Sequence, residues 1–190
     1  MLFTETRIRG VLVIEPERRA DERGFFARTW CQQEFSARGL NPRVVQCGTS
    51  FNSRQGTLRG LHFQIAPREE AKLVRCTHGA VYDVAVDLRT DSPTFHEWFA
   101  AELTAENGRM MYLPEGCAHG FLTLADDTEV FYQMSQAYHP ESSRGVRWDD
   151  PALAIRWPRD VQVISERDRR LPLISASRAA APLAITDSRG

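Results

Sequence analysis

The chain has 190 residues, 42% hydrophobic and 26% charged, with a formal charge of −1. That length fits one ordinary domain with a self-sufficient core and leaves no room for a second full one. The near-neutral balance excludes the broad phosphate attraction of a basic nucleic-acid binder, so an anionic ligand must be held by a local cluster. In chain order, apolar or alternating runs bounded by turn residues lie at 11–15, 25–30, 44–50, 57–64, 73–76, 80–87, 95–102, 110–113, 118–124 and 128–135. Spacing this close predicts strands of a sandwich or barrel. Helical pattern is confined to Gln32 to Arg38, closed by Gly39, and to a short stretch from Ser165 to Arg170. Without long helices between strands a parallel α/β sheet is excluded, and the expected fold is all-β, a jelly-roll or double-stranded β-helix barrel with a few short helices. Residues 1–174 are expected to form the single domain, and 175–190 (SASRAAAPLAITDSRG) a loosely held tail.

No run approaches about 18 apolar residues, and the opening MLFTETRIRG has no apolar signal region. A cytoplasmic protein without a membrane partner is the expectation. Cys31, Cys47, Cys76 and Cys117 show no CxxC spacing and read as free thiols. The five histidines, His62, His78, His96, His119 and His139, form no HxH or HxxxH pair, so no metal site is expected.

Several residues have the chemistry of a site. In TLRGLHFQ (57–64), strand alternation puts Leu58, Gly60, His62 and Gln64 on one face and Arg59 on the other. An interior His62 reads as a general base or, equally, as a hydrogen-bonded core histidine. Arg59 and His62 serve one pocket only if the strand bulges at Gly60 or the arginine reaches in from the rim. In TEVFYQMS, Tyr132 is either a proton donor or a barrel tyrosine with a satisfied hydroxyl. Asp83 and Asp87 share a face of an otherwise apolar strand, and at least one is expected at a pocket. Arg23 in DERGFF and Arg59 stand beside glycines, where a guanidinium fork meets phosphate. Lys72 is the only lysine among 24 basic residues, which marks either a site needing a compact ammonium or an accident of composition. Nothing in the spacing pairs Asp168 with His62.

Eight ordered blocks carry a resemblance: DERGFF, GTLRGLHFQ, KLVRC, VYDVAVDLRTDSPTF, PEGCAHGF, EVFYQMSQAYHP, RWDDPALAIRWP and ISERD. From about residue 3 to 173 the chain resembles the dTDP-4-dehydrorhamnose 3,5-epimerase family. The resemblance implies a cupin-type barrel acting as a homodimer, without metal or other cofactor, on a dTDP-4-keto-6-deoxyhexose. It implies His62 as base, Asp168 as its orienting carboxylate, Tyr132 as acid and Lys72 as the cation beside the enolate. Arg23, Phe26, Gln46, Arg59, Asp83, His119 and Tyr138 are then the expected substrate contacts. The chain departs from the family's pattern at Arg28, at Cys47 and Gly48, and at Ser143, changes expected to alter nucleotide or sugar contacts while leaving the acid/base set intact. Three other readings stay open: inversion at C3 or C5 alone, a non-catalytic sugar-nucleotide binding module, and a metal-dependent oxygenase.

Overall fold

Two antiparallel sheets, laid against each other over a shared apolar interior, form the body of the computed structural model, which describes residues 1–174. The tail expected at 175–190 lies outside the described residues. One sheet runs, in spatial order, β1 (Leu2–Glu5), β2 (Leu12–Glu15), β10 (Met110–Leu113), β7 (Lys72–His78), β12 (Thr128–Met134) and β5 (Gln46–Asn52). The other runs β13 (Ser143–Gly145), β6 (Thr57–Gln64), β11 (Cys117–Thr123), β8 (Ala80–Asp87) and β9 (Trp98–Thr104), with β14 (Val163–Ile164) parallel to β6. A separate hairpin pairs β3 (Arg19–Asp21) with β4 (Gly24–Phe26). The helices are α1 (Gln32–Ser36) and α2 (Glu166–Arg169).

Strand alternation explains the core. Val81 and Ala85 of β8 point inward with Cys117 and Phe121 of β11, and meet Val74, Cys76 and Val130 from the facing sheet. Val84 and Val86 point the other way and are covered, with Ala118, by Val146, Leu153 and Ile174. Both faces of β8 are therefore buried, which is why its sequence is almost continuously apolar. On the outer face of the other sheet, Phe35 of α1 sits among Phe3, Trp30 and Tyr112 at centroid distances of 5.6, 6.4 and 5.8 Å. A five-residue helix has no stability of its own, so this aromatic cluster holds it.

The expected spans of β6, β8 and β10 match the structure. The run expected at 25–30 stops at Phe26, and the one at 95–102 begins at Trp98, after His96 turns the chain with φ of 70°. The expected single face for Leu58, Gly60, His62 and Gln64 is corrected by a bulge. His119 of β11 pairs with His62, yet Phe121 pairs with Arg59, so three steps along β6 oppose two along β11. This reverses the parity of β6, sending Leu61 into the outer cluster with Val84 while Arg59 and His62 come to border the same space.

Two glycines make the bulge sterically possible. Gly60 has φ of +128°, and a Cβ there would lie 2.5 Å from the Gly120 Cα and 2.9 Å from the His119 carbonyl oxygen. A Cβ on Gly120 would meet the Arg59 carbonyl oxygen at 2.8 Å. Gly60→Ala is expected to destabilise the fold by more than about 2 kcal/mol in urea unfolding, because backbone on both sides would have to part. An unchanged midpoint would show that the bulge tolerates a side chain.

Candidate active site

Beside the core the two sheets border a cavity of about 390 Å³. From β6 come His62 and Arg59, from β11 His119 and Phe121; the facing sheet supplies Lys72 of β7 and Tyr132 of β12. The histidine and the tyrosine thus approach one space from opposing sheets.

His62 is paired through a chain of local causes. Val163 and Ile164 add to the edge of β6 beside Thr57 and Leu58, which anchors the segment just ahead of α2. Ser165 then caps α2, its hydroxyl accepting the Asp168 backbone N–H at 3.0 Å. That turn aims Asp168 back at β6, where its Oδ1 lies 2.7 Å from His62 Nε2 and its Oδ2 accepts the Gly60 N–H at 3.3 Å. Asp168 is 4% exposed. Burial pushes its carboxyl up, but hydrogen bonding and charge from His62, with the Gly60 N–H, outweigh it and hold the group below the usual carboxylate range. An ionised Asp168 fixes the imidazole's orientation and stabilises its protonated form.

Tyr132 is the complement. Burial raises its phenol well above the ordinary tyrosine value, against a smaller opposing effect from Ser50, whose hydroxyl lies 3.1 Å from the phenolic oxygen. The group is therefore a neutral O–H at every ordinary pH, the state a proton donor must occupy. Its ring packs edge-on against His119 at 6.0 Å. His119 in turn places Nε2 2.7 Å from Asp83 Oδ1, both side chains being almost wholly buried. Lys72 puts its ammonium on the cavity wall, and Arg59 crosses the rim with Nε donating to Asn52 Oδ1 at 2.7 Å. An imidazole–carboxylate pair, an opposed neutral phenol and a nearby ammonium suit removal of a proton beside a carbonyl and its return from another direction.

The family model described as dTDP-4-dehydrorhamnose 3,5-epimerase matches residues 5–176. The chain belongs to the dTDP-4-dehydrorhamnose 3,5-epimerase family. It is 46% identical over 170 residues to the enzyme of that name from Methanothermobacter thermautotrophicus, covering 88% of this chain and 91% of the relative. A dTDP-4-dehydrorhamnose 3-epimerase from Streptomyces niveus is 41% identical, covering 91% of this chain and 84% of the relative. The crystal structure of dTDP-6-deoxy-D-glucose-3,5-epimerase from Legionella pneumophila in complex with dTDP-4-keto-L-rhamnose superposes with a TM-score of 0.86 at 39% identity, covering 92% of this chain and 93% of that one.

In this epimerase the single chain brings together His62, Asp168, Tyr132, Lys72, Arg59, His119 and Tyr138, all of which border the cavity. Gln46 stands behind Tyr138, its side-chain carbonyl accepting the Tyr138 N–H at 3.0 Å. Arg23 and Phe26 are not brought in. They sit on the β3–β4 hairpin, where the Arg23 side chain is 83% exposed and paired with Asp21, and Phe26 is 70% exposed. Asp83 does not border the cavity either, because it is fully buried behind His119. Sequence reasoning missed Ser50, Gln64, Glu70 and Arg167 as wall residues. Period-two spacing with Lys72 was the available signal for Glu70. No helix of the described residues is long and apolar enough to cross a membrane, and no cluster of three potential metal-binding side chains occurs among them.

Asp87, the other acidic residue on the β8 face, has a structural task. Its carboxylate accepts from Arg89 Nε at 2.9 Å, Ser92 Oγ at 2.6 Å and Thr94 Oγ1 at 2.8 Å, tying down the loop between β8 and β9. Burial pushes its carboxyl up, yet these donors win and lower it to about 2. A carboxyl depressed on folding stabilises the native state above its unfolded pKa, and that contribution is lost as pH falls through the folded value. Asp87→Asn should therefore cost on the order of 2 kcal/mol at pH 7, and the deficit should close as pH falls from about 4 towards 2. Urea unfolding of both proteins across that range checks it.

Proposed function

We propose that this epimerase inverts C3 and C5 of a dTDP-4-keto-6-deoxyhexose, on the route to dTDP-L-rhamnose, through an enolate and with its own side chains alone. The observation that carries the reading is the His62–Asp168 pair facing, across one cavity, a phenol held neutral by burial. A 4-keto group acidifies the hydrogens on both neighbouring carbons, because either carbanion delocalises onto the same oxygen. His62 removes the proton, and Asp168 stabilises the imidazolium that results. Tyr132, projecting from the opposing sheet, returns a proton to the other side of the ring. Lys72 stands where negative charge develops on the oxygen, a preorganised electrostatic contribution that is among the largest in such reactions. Arg59 on the rim and the imidazole of His119 meet the diphosphate and the sugar, and Tyr138 at the mouth meets the nucleotide end. The family's reaction needs no cofactor.

The working unit in this reading is a homodimer in which the hairpin of a second copy carries Arg23 and Phe26 to the cavity. Supporting it are the exposure of every residue in both hairpin strands, the edge of β5 left unpaired among the described residues, and the exposed apolar side chains of Phe25, Val44, Val45 and Phe51 in or beside those two elements. A variant carrying His62→Ala and another carrying Arg23→Ala should each be nearly inactive alone. Dissociated and reassociated together, they should recover about one quarter of wild-type activity by random reassortment, since only mixed dimers hold one intact site. No recovery would place the hairpin's action within its own chain.

Incubation with dTDP-4-dehydro-6-deoxyglucose in D₂O, with the label located by NMR, tests the chemistry. Wild-type protein should place deuterium at both C3 and C5, and His62→Ala should slow this by about 10²- to 10⁴-fold. Tyr132→Phe should retain exchange of the abstracted hydrogen while losing inversion. Label at one carbon alone would favour single-centre epimerisation, the activity for which the Streptomyces niveus relative is named. Absence of exchange in the wild type would leave a binding module.

A further inference from the structure

Lys72 does not stand alone on the cavity wall. Its Nζ lies 2.9 Å from Glu70 Oε1, and the two side chains are only 11% and 9% exposed. Glu70 borders the same cavity. Glu70 lies two residues ahead of Lys72, on the segment that leads into β7. Ala71, between them, is fixed by a reciprocal pair of bonds to Ser135: its N–H donates to Ser135 Oγ at 2.8 Å, and its carbonyl accepts the Ser135 N–H at 2.9 Å. Lys72 itself is in register with Leu113 on one side and Met134 on the other. The backbone that presents both side chains is thus held from both sides, by β10 and by β12 with Ser135 just beyond its end.

The carboxylate is held at its other end as well. Gln64 Nε2 lies 3.4 Å from Glu70 Oε2, and Gln64 is 3% exposed and anchored by the Ala137 carbonyl at 3.1 Å. Glu70 therefore bridges a buried amide and the ammonium, one oxygen to each. A lysine stem has four rotatable carbons, and an ammonium without a partner in a mostly buried wall is costly. One fixed carboxylate resolves both problems. It takes one of the three ammonium donors and leaves the other two for a ligand.

We propose that Glu70 is a positioning residue for the epimerisation, acting through Lys72 by fixing where the ammonium meets the developing enolate oxygen. This rests on the enolate-stabilising role given to Lys72 above. A neutral ketone oxygen competes weakly with the carboxylate for the ammonium, whereas an enolate oxygen competes strongly. The ammonium therefore gains more from the transition state than from bound substrate, and Glu70 sets the direction from which it does so. Its loss should then appear in kcat and leave KM nearly unchanged.

The test is a double-mutant cycle on the full-length protein, read by steady-state epimerisation and by solvent-deuterium exchange into dTDP-4-dehydro-6-deoxyglucose. Glu70→Ala should lower kcat about ten- to a hundredfold, as expected for a misplaced reacting group, with KM within about threefold of wild type. Glu70→Gln, which keeps an acceptor at the same reach, should recover part of the loss. In a Lys72→Ala background, Glu70→Ala should cause little further loss of exchange, because the group it positions is already gone. Equal losses in both backgrounds, or a Glu70→Ala enzyme with wild-type kcat, would overturn the assignment. A wild-type protein that exchanges no solvent hydrogen would instead overturn the epimerase reading, and that result does not depend on Glu70.

Discussion

Everything at the cavity depends on how closely β6 can approach β11. Where Gly60 meets Gly120 the two backbones pass at a distance that admits no Cβ on either chain. The extra residue accommodated there turns β6 over partway along its length. Without it, Arg59 and His62 would face opposite sides of the sheet, one towards the inner space and one towards the cover formed by the last part of the chain. The Gly60 N–H freed by the irregularity is also the one that reaches Asp168. One steric allowance thus orients the imidazole, frees a donor for its carboxylate and brings a guanidinium to the same rim.

Three ionisable side chains of the wall are each paired with a carboxylate. His62 has Asp168, Lys72 has Glu70, and His119 has Asp83. A largely buried wall carries such groups only when each is compensated, since an uncompensated charge removed from water costs several kcal/mol. Arg59, on the rim, is held by neutral acceptors instead, the Asn52 side chain and the Phe51 carbonyl, and so keeps its full charge available to an anion. Tyr132 is the exception among the reactive groups, because it has a hydroxyl partner and no countercharge in hydrogen-bond contact. That environment makes its phenol so reluctant to ionise, and it is the reverse of the environment given to Asp168.

How much of this the sequence disclosed varies with the range of the interaction responsible. Apolar or alternating runs located β6, β8 and β10 to the residue, because burial on one or both faces writes itself directly into the side chains. They failed for β3, whose three residues are all exposed, and for the two-residue β14, which exists only because β6 offers an edge to it. Alternation alone set Arg59 opposite His62, and a bulge at Gly60 could be named only as the condition for their sharing a pocket, since a bulge depends on the strand opposite. Asp168 was invisible as a partner for His62 without the family resemblance, because nothing local links positions 106 residues apart. Glu70 sat in plain view two residues from a lone lysine, but a charged residue just before a strand reads by default as solvated.

The placement of Asp168 has a consequence for how the protein comes into being. The stretch that seals the outer face of β8 with Val146, Leu153 and Ile174 is the same stretch that delivers the carboxylate to His62. During synthesis the imidazole emerges long before its partner, which is carried on the segment that forms this apolar cover. A nascent chain that ends short of Asp168 therefore holds an unfinished dyad, and the segment that completes it is also the one that takes the outer face of β8 out of water.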